Sequence, residues 1–226
     1  MTSKEFRDRL LKRLRKLELR LAPGQVDALE KYYRLLTLWN ARINLTALRL
    51  DPPDEASFDR LLIEPLAAAR FVASGSVKLL DIGSGSGSPA IPLLVAIPSA
   101  SLTMVESKTR KAVFLMEAVR QLELPATVET ARYEQLLSRP DLHEVVDLLT
   151  IRAVRVEPRS LLSLQAFIRP GGQLFWFRSA SGSRQFDVPP PLTSVATHPL
   201  IDSAGSRLVV LGKTAIGRSS MTEPTA

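Results

Sequence analysis

Phe6, Leu10, Leu14, Leu17 and Leu21 recur every three or four positions, so the N-terminal segment reads as an amphipathic helix that packs one stripe on the body of the protein. A second helix is expected from about Pro23 to Arg42, with Leu29, Tyr32, Leu36, Trp39 and Ile43 on one stripe and Pro23 in its first turn. After Asn44-Leu45-Thr46-Ala47-Leu48 and the turn Asp51-Pro52-Pro53-Asp54, a third helix is expected from about Ala56 to Val72. The pattern then changes to short apolar runs separated by helical segments. Val77-Lys78-Leu79-Leu80, Ser101 to Val105, and residues 126–130, 145–151 and 173–177 read as strands, with helices at 108–122, 132–137 and 157–167. Gly171-Gly172 marks the turn into Gln173-Leu174-Phe175-Trp176-Phe177, whose aromatics suit a buried strand better than a base-stacking platform. This rhythm predicts an α/β fold with a mostly parallel sheet and crossover helices behind an all-helical cap. Asp187-Val188-Pro189-Pro190-Pro191 reads as a loop, Ser206 to Leu211 as an antiparallel last strand, and the polar tail from about Ile216 as disordered. The expected division is a helical segment at 1–73, a sheet domain at 74–213 and a tail at 214–226.

A chain of 226 residues has room for one sizeable domain with an added segment. It has no cysteine, which excludes disulfides, thiolate metal sites and cysteine nucleophiles and is compatible with a reducing cytoplasm. His143 and His198 stand far apart with no ligand spacing, so no metal site is expected. No apolar run is long enough to cross a membrane, and the basic N-terminus lacks the apolar block of a signal peptide, so a soluble, cytoplasmic protein is expected. The net charge of +7 is uneven: residues 1–20 carry eight Lys or Arg against Glu5, Asp8 and Glu18. A basic face on that helix suits phosphate, with nucleic acid as the favoured partner and a merely solvated face as the rival.

Candidate chemistry concentrates at Asp81-Ile82-Gly83-Ser84-Gly85-Ser86-Gly87, between a strand and the segment Ser88-Pro89-Ala90-Ile91-Pro92-Leu93-Leu94. Glycines at alternate positions remove Cβ where the backbone turns sharply and where a ligand lies against it. A dinucleotide fingerprint would need a third glycine at position 88, where this chain has serine. A pyrophosphate would also be repelled by Asp81, whereas a cationic, amino-bearing ligand would not, so S-adenosylmethionine fits better than NAD. Glu106 ends the next strand, where a doubly wound nucleoside site places a carboxylate for ribose hydroxyls; a plain role in starting the following helix is the alternative.

The run Asp81 to Leu93 resembles the signature of the bacterial small-subunit ribosomal RNA methyltransferase G family, also called the glucose-inhibited division protein B family. That signature is an Asp-Val/Ile-Gly-x-Gly-x-Gly turn followed by x-Pro-Gly-Ile-Pro-Leu. Trp39-Asn40-Ala41-Arg42-Ile43-Asn44-Leu45-Thr46-Ala47-Leu48, Glu106-Ser107 through Arg110-Lys111 to Phe114-Leu115, and Arg152-Ala153-Val154 resemble three further family segments, so the similarity spans about residues 26–212. The family's His-x-x-Asp-Ser appears as Leu61-Leu62-Ile63-Glu64-Pro65, its Lys-Gly as Arg178-Ser179, and the glycine of its Pro-Gly-Ile-Pro as Ala90. The resemblance implies a Rossmann-like class I methyltransferase that methylates N7 of one guanosine in the 530 loop of 16S ribosomal RNA. The substrate would be the free RNA or a small-subunit particle, and the protein a monomer. A small-molecule methyltransferase and a non-catalytic RNA-binding relative are the alternatives.

On this reading Asp81, Gly83, Ser84, Gly85, Gly87, Pro89, Glu106 and Ser107 hold S-adenosylmethionine. Arg132 and Arg152, expected at the carboxyl edge of the sheet, would hold phosphate or the guanine O6, with structural salt bridging as the rival for each. Asn44 and Glu64 could face the Watson–Crick edge of the guanine, against helix capping for Asn44 and a solvent or helix-pair role for Glu64.

Overall fold

A computed structural model describes residues 1–152, 156–178, 187–201 and 205–214. Seven strands form one sheet: β1 (Val77–Ile82), β2 (Ala100–Val105), β3 (Ala126–Glu129), β4 (Val146–Arg152), β5 (Ile168–Arg178), β6 (Leu192–Ile201) and β7 (Ser206–Lys213). Their order is β3-β2-β1-β4-β5-β7-β6. β1 to β5 pair in parallel, and β7 runs antiparallel to both β5 and β6. The strand order reverses between β1 and β4, so the crevice beyond their carboxyl ends is where a doubly wound fold receives a ligand.

Alternation along the strands assigns side chains to two cores. Val77 and Leu79 of β1, Leu148 of β4 and Phe175 and Phe177 of β5 pack toward the helical cap. Leu80, Ile82, Leu149, Ile151, Leu174 and Trp176 pack on the opposite face. By the same alternation Asp81, Thr150 and Arg152 point toward the cap, which makes the cap one wall of any site they build.

The cap begins with α1 (Ser3–Lys16), closed at its N-terminus by a reciprocal Thr2–Glu5 capping box. Phe6, Leu10 and Leu14 are buried as the stripe requires, while Leu17 and Leu21 fall beyond the helix and pack against the core. Phe6, Tyr33 and Phe58 form an aromatic cluster with centroids 5.4–6.0 Å apart. The second helix, α2, runs Pro23–Ile43. The expected third helix is broken into α3 (Glu55–Phe58), a π-helical turn Asp59–Ile63, α4 (Glu64–Ala68) and a 3₁₀ turn Ala69–Phe71. Beyond it lie α5 (Ala90–Ala96), α6 (Thr109–Leu122), α7 (Tyr133–Leu136) and α8 (Pro158–Leu164), the last shorter than the apolar pattern implies.

Two features of the carboxyl half differ from the expectation. β6 has no counterpart among the expected strands, because as an edge strand it is mostly exposed, contains Pro199 and shows little apolar alternation. The antiparallel end of the sheet therefore has two strands. Gly171 and Gly172 lie inside β5 rather than ahead of it, where the β4–β5 register shifts. A Cβ on Gly172 would come within 3.0 Å of the Asp147 carbonyl, so only glycine lets the two strands approach there. The expected disordered tail from Ile216, together with Ala153, Val154 and Ser179, lies outside the described residues.

Candidate functional site

The three alternate glycines all sit at positive φ, 74° at Gly83, 53° at Gly85 and 85° at Gly87. The Gly83 and Ser84 amides both donate to the Val105 carbonyl, at 2.8 and 3.1 Å, which ties the loop to the end of β2. A Cβ on Gly87 would lie 2.6 Å from Ile91 Cδ1, so this glycine also permits the close seating of α5. One on Gly85 would stand 4.0 Å from both Glu106 Oε2 and Lys111 Nζ. Gly85 thus presents bare backbone to a cavity of about 510 Å³ that Glu106 and Lys111 also line.

Asp81 and Glu106 flank this loop and are both buried. Thr150 is the register partner of Asp81 across the β1–β4 pair, and its hydroxyl donates to Asp81 Oδ1 at 2.5 Å. Asp81 Oδ2 is buried with no hydrogen-bond partner among the described residues. Burial pushes the Asp81 carboxyl above the usual carboxylate range, against the pull of the Thr150 and Ser84 hydroxyls and of Arg152. Glu106 differs: Oε2 accepts from the Gly85 amide and Oε1 from the Lys108 amide, each at 2.8 Å. It therefore shapes the loop and closes the start of α6 as well as lining the cavity.

A second cavity of about 210 Å³ is lined by Ser107, Ala131, Arg132 and Tyr133. Gly83 lines both, so the two hollows meet over the glycine loop. Arg132 is exposed, and its amide donates to Gln135 Oε1 at 2.9 Å at the start of α7. Arg132 and Arg152 accordingly line different hollows, the smaller and the larger.

Arg152 is nearly buried and engaged on the cap side through both Nη atoms, while its Nε is buried without a partner among the described residues. Its Nη2 is 3.0 Å from Glu64 Oε2, its Nη1 donates to the Arg60 carbonyl at 2.5 Å and to Ser88 Oγ at 3.1 Å, and the guanidinium lies 4.5 Å over the Phe177 ring. Burial lowers the Arg152 pKa and raises that of Glu64, while each charge opposes the other's shift. Two residues singled out separately in the sequence are thus each other's partner. Asn44 is exposed at the end of α2 in the left-handed conformation, φ 50°, its amide donating to the Asn40 carbonyl. Capping is its visible role, and the neighbouring residues Leu45 to Leu48 line the cavity instead. Pro89, buried, stands at the start of α5, and Ser84 Oγ donates to the Asp81 carbonyl at 3.1 Å.

Sequence reasoning misses most of the cavity's cationic wall: Arg60, Lys108 and Lys111 line it together with Arg152. Lys111 donates to the Leu45 carbonyl at 3.0 Å and so ties α6 to the loop after α2. Lys111 stands in a segment that resembles the family pattern, but nothing in the local sequence marks Arg60. Tyr32 reads as core; it is buried, yet its hydroxyl donates to the Ser86 carbonyl at 2.7 Å and fixes the glycine loop from α2.

The basic face of α1 is smaller than its composition. Arg7 pairs with Asp27 and Glu30, Arg13 with Glu55 and Asp59, and Arg9 donates to the Pro53 carbonyl. Lys4, Lys12, Arg15, Lys16 and Arg20 remain exposed. Among the described residues no helix is long and apolar enough to cross a membrane, and no group of three or more His, Asp or Glu is placed to hold a metal. His198 stacks on Phe71, and His143 contacts the Leu137 carbonyl.

Solved structures with this fold include a SAM-dependent methyltransferase from Aquifex aeolicus, at TM-score 0.51 and 15% identity, covering 70% of this chain and 93% of that one. The [4+2]-cyclase SpnF superposes at TM-score 0.55 and 15% identity over 86% of this chain and 98% of its own. At such identity the likeness establishes the fold and nothing more. Sequence relatives are more specific. A protein of Stenotrophomonas maltophilia strain R551-3 named ribosomal RNA small subunit methyltransferase G is 42% identical over 164 residues, 70% of this chain and 73% of its own. One of the same name from Xanthomonas euvesicatoria is 37% identical over 172 residues, 75% and 77% of the two chains. Another, from Stenotrophomonas maltophilia strain K279a, is 44% identical over 138 residues, a match that spans 63% of that relative's length. The model of the family described as rRNA small subunit methyltransferase G matches residues 25–202, from the second helix of the cap to the edge of the sheet. With the glycine loop, its two flanking acids and most of the chain within that match, this protein belongs to the rRNA small subunit methyltransferase G family.

Proposed function

We propose that this protein transfers a methyl group from S-adenosylmethionine to N7 of a guanosine in the 530 loop of 16S ribosomal RNA. The observation that carries the reading is the buried Asp81 carboxylate, with one oxygen held by Thr150 and the other without a partner among the described residues. A buried acid left half-satisfied is costly unless a ligand cation completes it, and the α-ammonium of S-adenosylmethionine is such a cation. Asp81, Gly83, Ser84, Gly85, Gly87 and Pro89 frame the amino-acid end of this ligand. Glu106 with Ser107 takes the nucleoside, toward the smaller cavity beside Arg132. When bound, the cofactor supplies a methyl group on a sulfonium centre.

The chain's own task is alignment. Guanine N7 carries an in-plane lone pair, so no side chain needs to remove a proton before attack. Holding the reacting atoms in line is worth about 7–11 kcal/mol in well-oriented systems. Arg60, Lys108 and Lys111 give the larger cavity a cationic wall for RNA phosphate or the guanine O6. Arginine commonly reads guanine through O6 and N7 together, but N7 has to stay free here, which leaves O6 and phosphate as contacts. Arg152 ties the Arg60 side of that wall to the sheet through the Arg60 carbonyl and pairs with Glu64, rather than reaching for RNA itself. The target guanine has to be unpaired or flipped to enter. Transfer of labelled methyl from S-adenosylmethionine to 16S RNA or small-subunit particles lacking the mark tests the reading; no transfer to either would refute it.

A further inference from the structure

The helix that carries Glu64 is interrupted where it reaches the site. At the π-helical turn Asp59–Ile63 the Glu64 amide bonds to the Asp59 carbonyl instead of that of Arg60. Pro65 has no N–H to offer the Leu61 carbonyl, and in a regular α-helix its ring would collide with it. Two successive carbonyls, those of Arg60 and Leu61, therefore lack an i+4 donor, and both are used by the site. Arg152 Nη1 donates to the Arg60 carbonyl at 2.5 Å, and Ser88 Oγ donates to the Leu61 carbonyl at 2.7 Å. Ser88 also accepts from Arg152 Nη1 at 3.1 Å, so its hydroxyl is occupied as donor and acceptor. Ser88 directly follows Gly87, and Tyr32 holds the Ser86 carbonyl two residues earlier. The end of the glycine loop is thus pinned to the cap at two points.

We propose that Pro65 is a positioning residue for the cofactor loop: by forcing the π-turn it presents the Leu61 carbonyl to Ser88 and so fixes the loop's far end. The inference rests on the proposed use of the glycine loop to bind S-adenosylmethionine.

The test is calorimetric titration with adenosylhomocysteine, alongside thermal unfolding, of the whole protein and of Pro65→Ala, Pro65→Ser, Ser88→Ala and Pro65→Ala/Ser88→Ala. Both Pro65 variants regain a helical N–H, so their Tm is expected to equal or exceed that of the unsubstituted protein. Their affinity should nevertheless fall about five-fold, the scale of one neutral hydrogen bond. Ser88→Ala, which also removes the bond from Arg152 Nη1, should lose at least the same factor, and the double variant should stay within about two-fold of Ser88→Ala, because the Ser88–Leu61 bond is then already gone. Unchanged affinity in the Pro65 variants, losses that multiply in the double variant, or a lowered Tm in both Pro65 variants would overturn the positioning role alone. Failure of the unsubstituted protein to bind would overturn it together with the cofactor reading.

Discussion

Thr150 donates its hydroxyl to Asp81 Oδ1 at 2.5 Å across the β1–β4 pair, and this leaves Oδ2 buried and without a partner among the described residues. The free protein thus holds a carboxylate in a place that disfavours its charge. Asp81→Asn keeps an acceptor for Thr150 and removes the charge. It is expected to stabilise the free protein by about 1–2 kcal/mol. It should also weaken adenosylhomocysteine binding roughly ten-fold or more, since a charge-assisted hydrogen bond contributes about 1.5–3 kcal/mol. Chemical denaturation and calorimetry read the two effects, which have opposite signs.

The pH dependence follows from the same residue. Burial raises the folded pKa of Asp81, so its contribution to folding stability is fully present below the unfolded value and is lost as pH rises through the folded one. Affinity for an amine-bearing cofactor runs the other way: it is full above the raised pKa and declines as pH falls through it. Titrations with adenosylhomocysteine at falling pH are expected to show that decline above the ordinary carboxylate range and ahead of any loss of fold. An affinity that holds constant down to the ordinary carboxylate range would remove Asp81 from the site.

Arg152 and Glu64 form a buried pair, with side chains 8% and 5% exposed. Arg152→Met strands the Glu64 carboxylate and is expected to cost about 3–5 kcal/mol of stability. Adding Glu64→Leu should recover much of that loss, because the desolvated charge goes with it. Urea unfolding of the two single variants and the double variant measures the recovery.

The cations of α1 divide into two groups with different expected effects. Arg13, 13% exposed, holds Asp59, 11% exposed, so Arg13→Ala should destabilise by about 1–3 kcal/mol as that carboxylate loses its partner. Lys12, Arg15 and Lys16 are exposed, and changing all three to Gln should leave stability within about 0.5 kcal/mol. If α1 meets RNA phosphates, the triple variant should bind 16S RNA with a shallower salt dependence, the slope falling by about 0.7–0.9 for each phosphate that the helix no longer neutralises. Filter binding across salt concentrations distinguishes this from a merely solvated face.

The chain displays its cofactor-side features in short, contiguous stretches, which makes them legible in the sequence itself. A strand, a glycine turn and two acids at strand ends carry their geometry in local spacing, and the parallel sheet follows from the alternation of apolar runs. The cavity's wall is legible only in part, because it is assembled across the fold. Arg60 and Arg152 are far apart in the chain and meet only once the cap packs on the sheet, and the Arg152–Glu64 pair has no local signature. Tyr32 hides within an apolar stripe because a tyrosine hydroxyl reaching a carbonyl leaves helical periodicity unchanged. The third helix reads as unbroken from about Ala56 to Val72, because neither the π-turn ahead of Pro65 nor the partners of the Arg60 and Leu61 carbonyls leave a mark in the apolar pattern. The edge strand β6 lacks the double-sided burial that makes central strands conspicuous.

The most direct measurement is mass-spectrometric mapping of modified nucleotides in 16S ribosomal RNA from cells with and without this protein. The expected result is a single 7-methylguanosine in the 530 loop that disappears with the protein and returns with the unsubstituted chain but not with Asp81→Asn. An unchanged set of modified nucleotides in cells lacking the protein would contradict it.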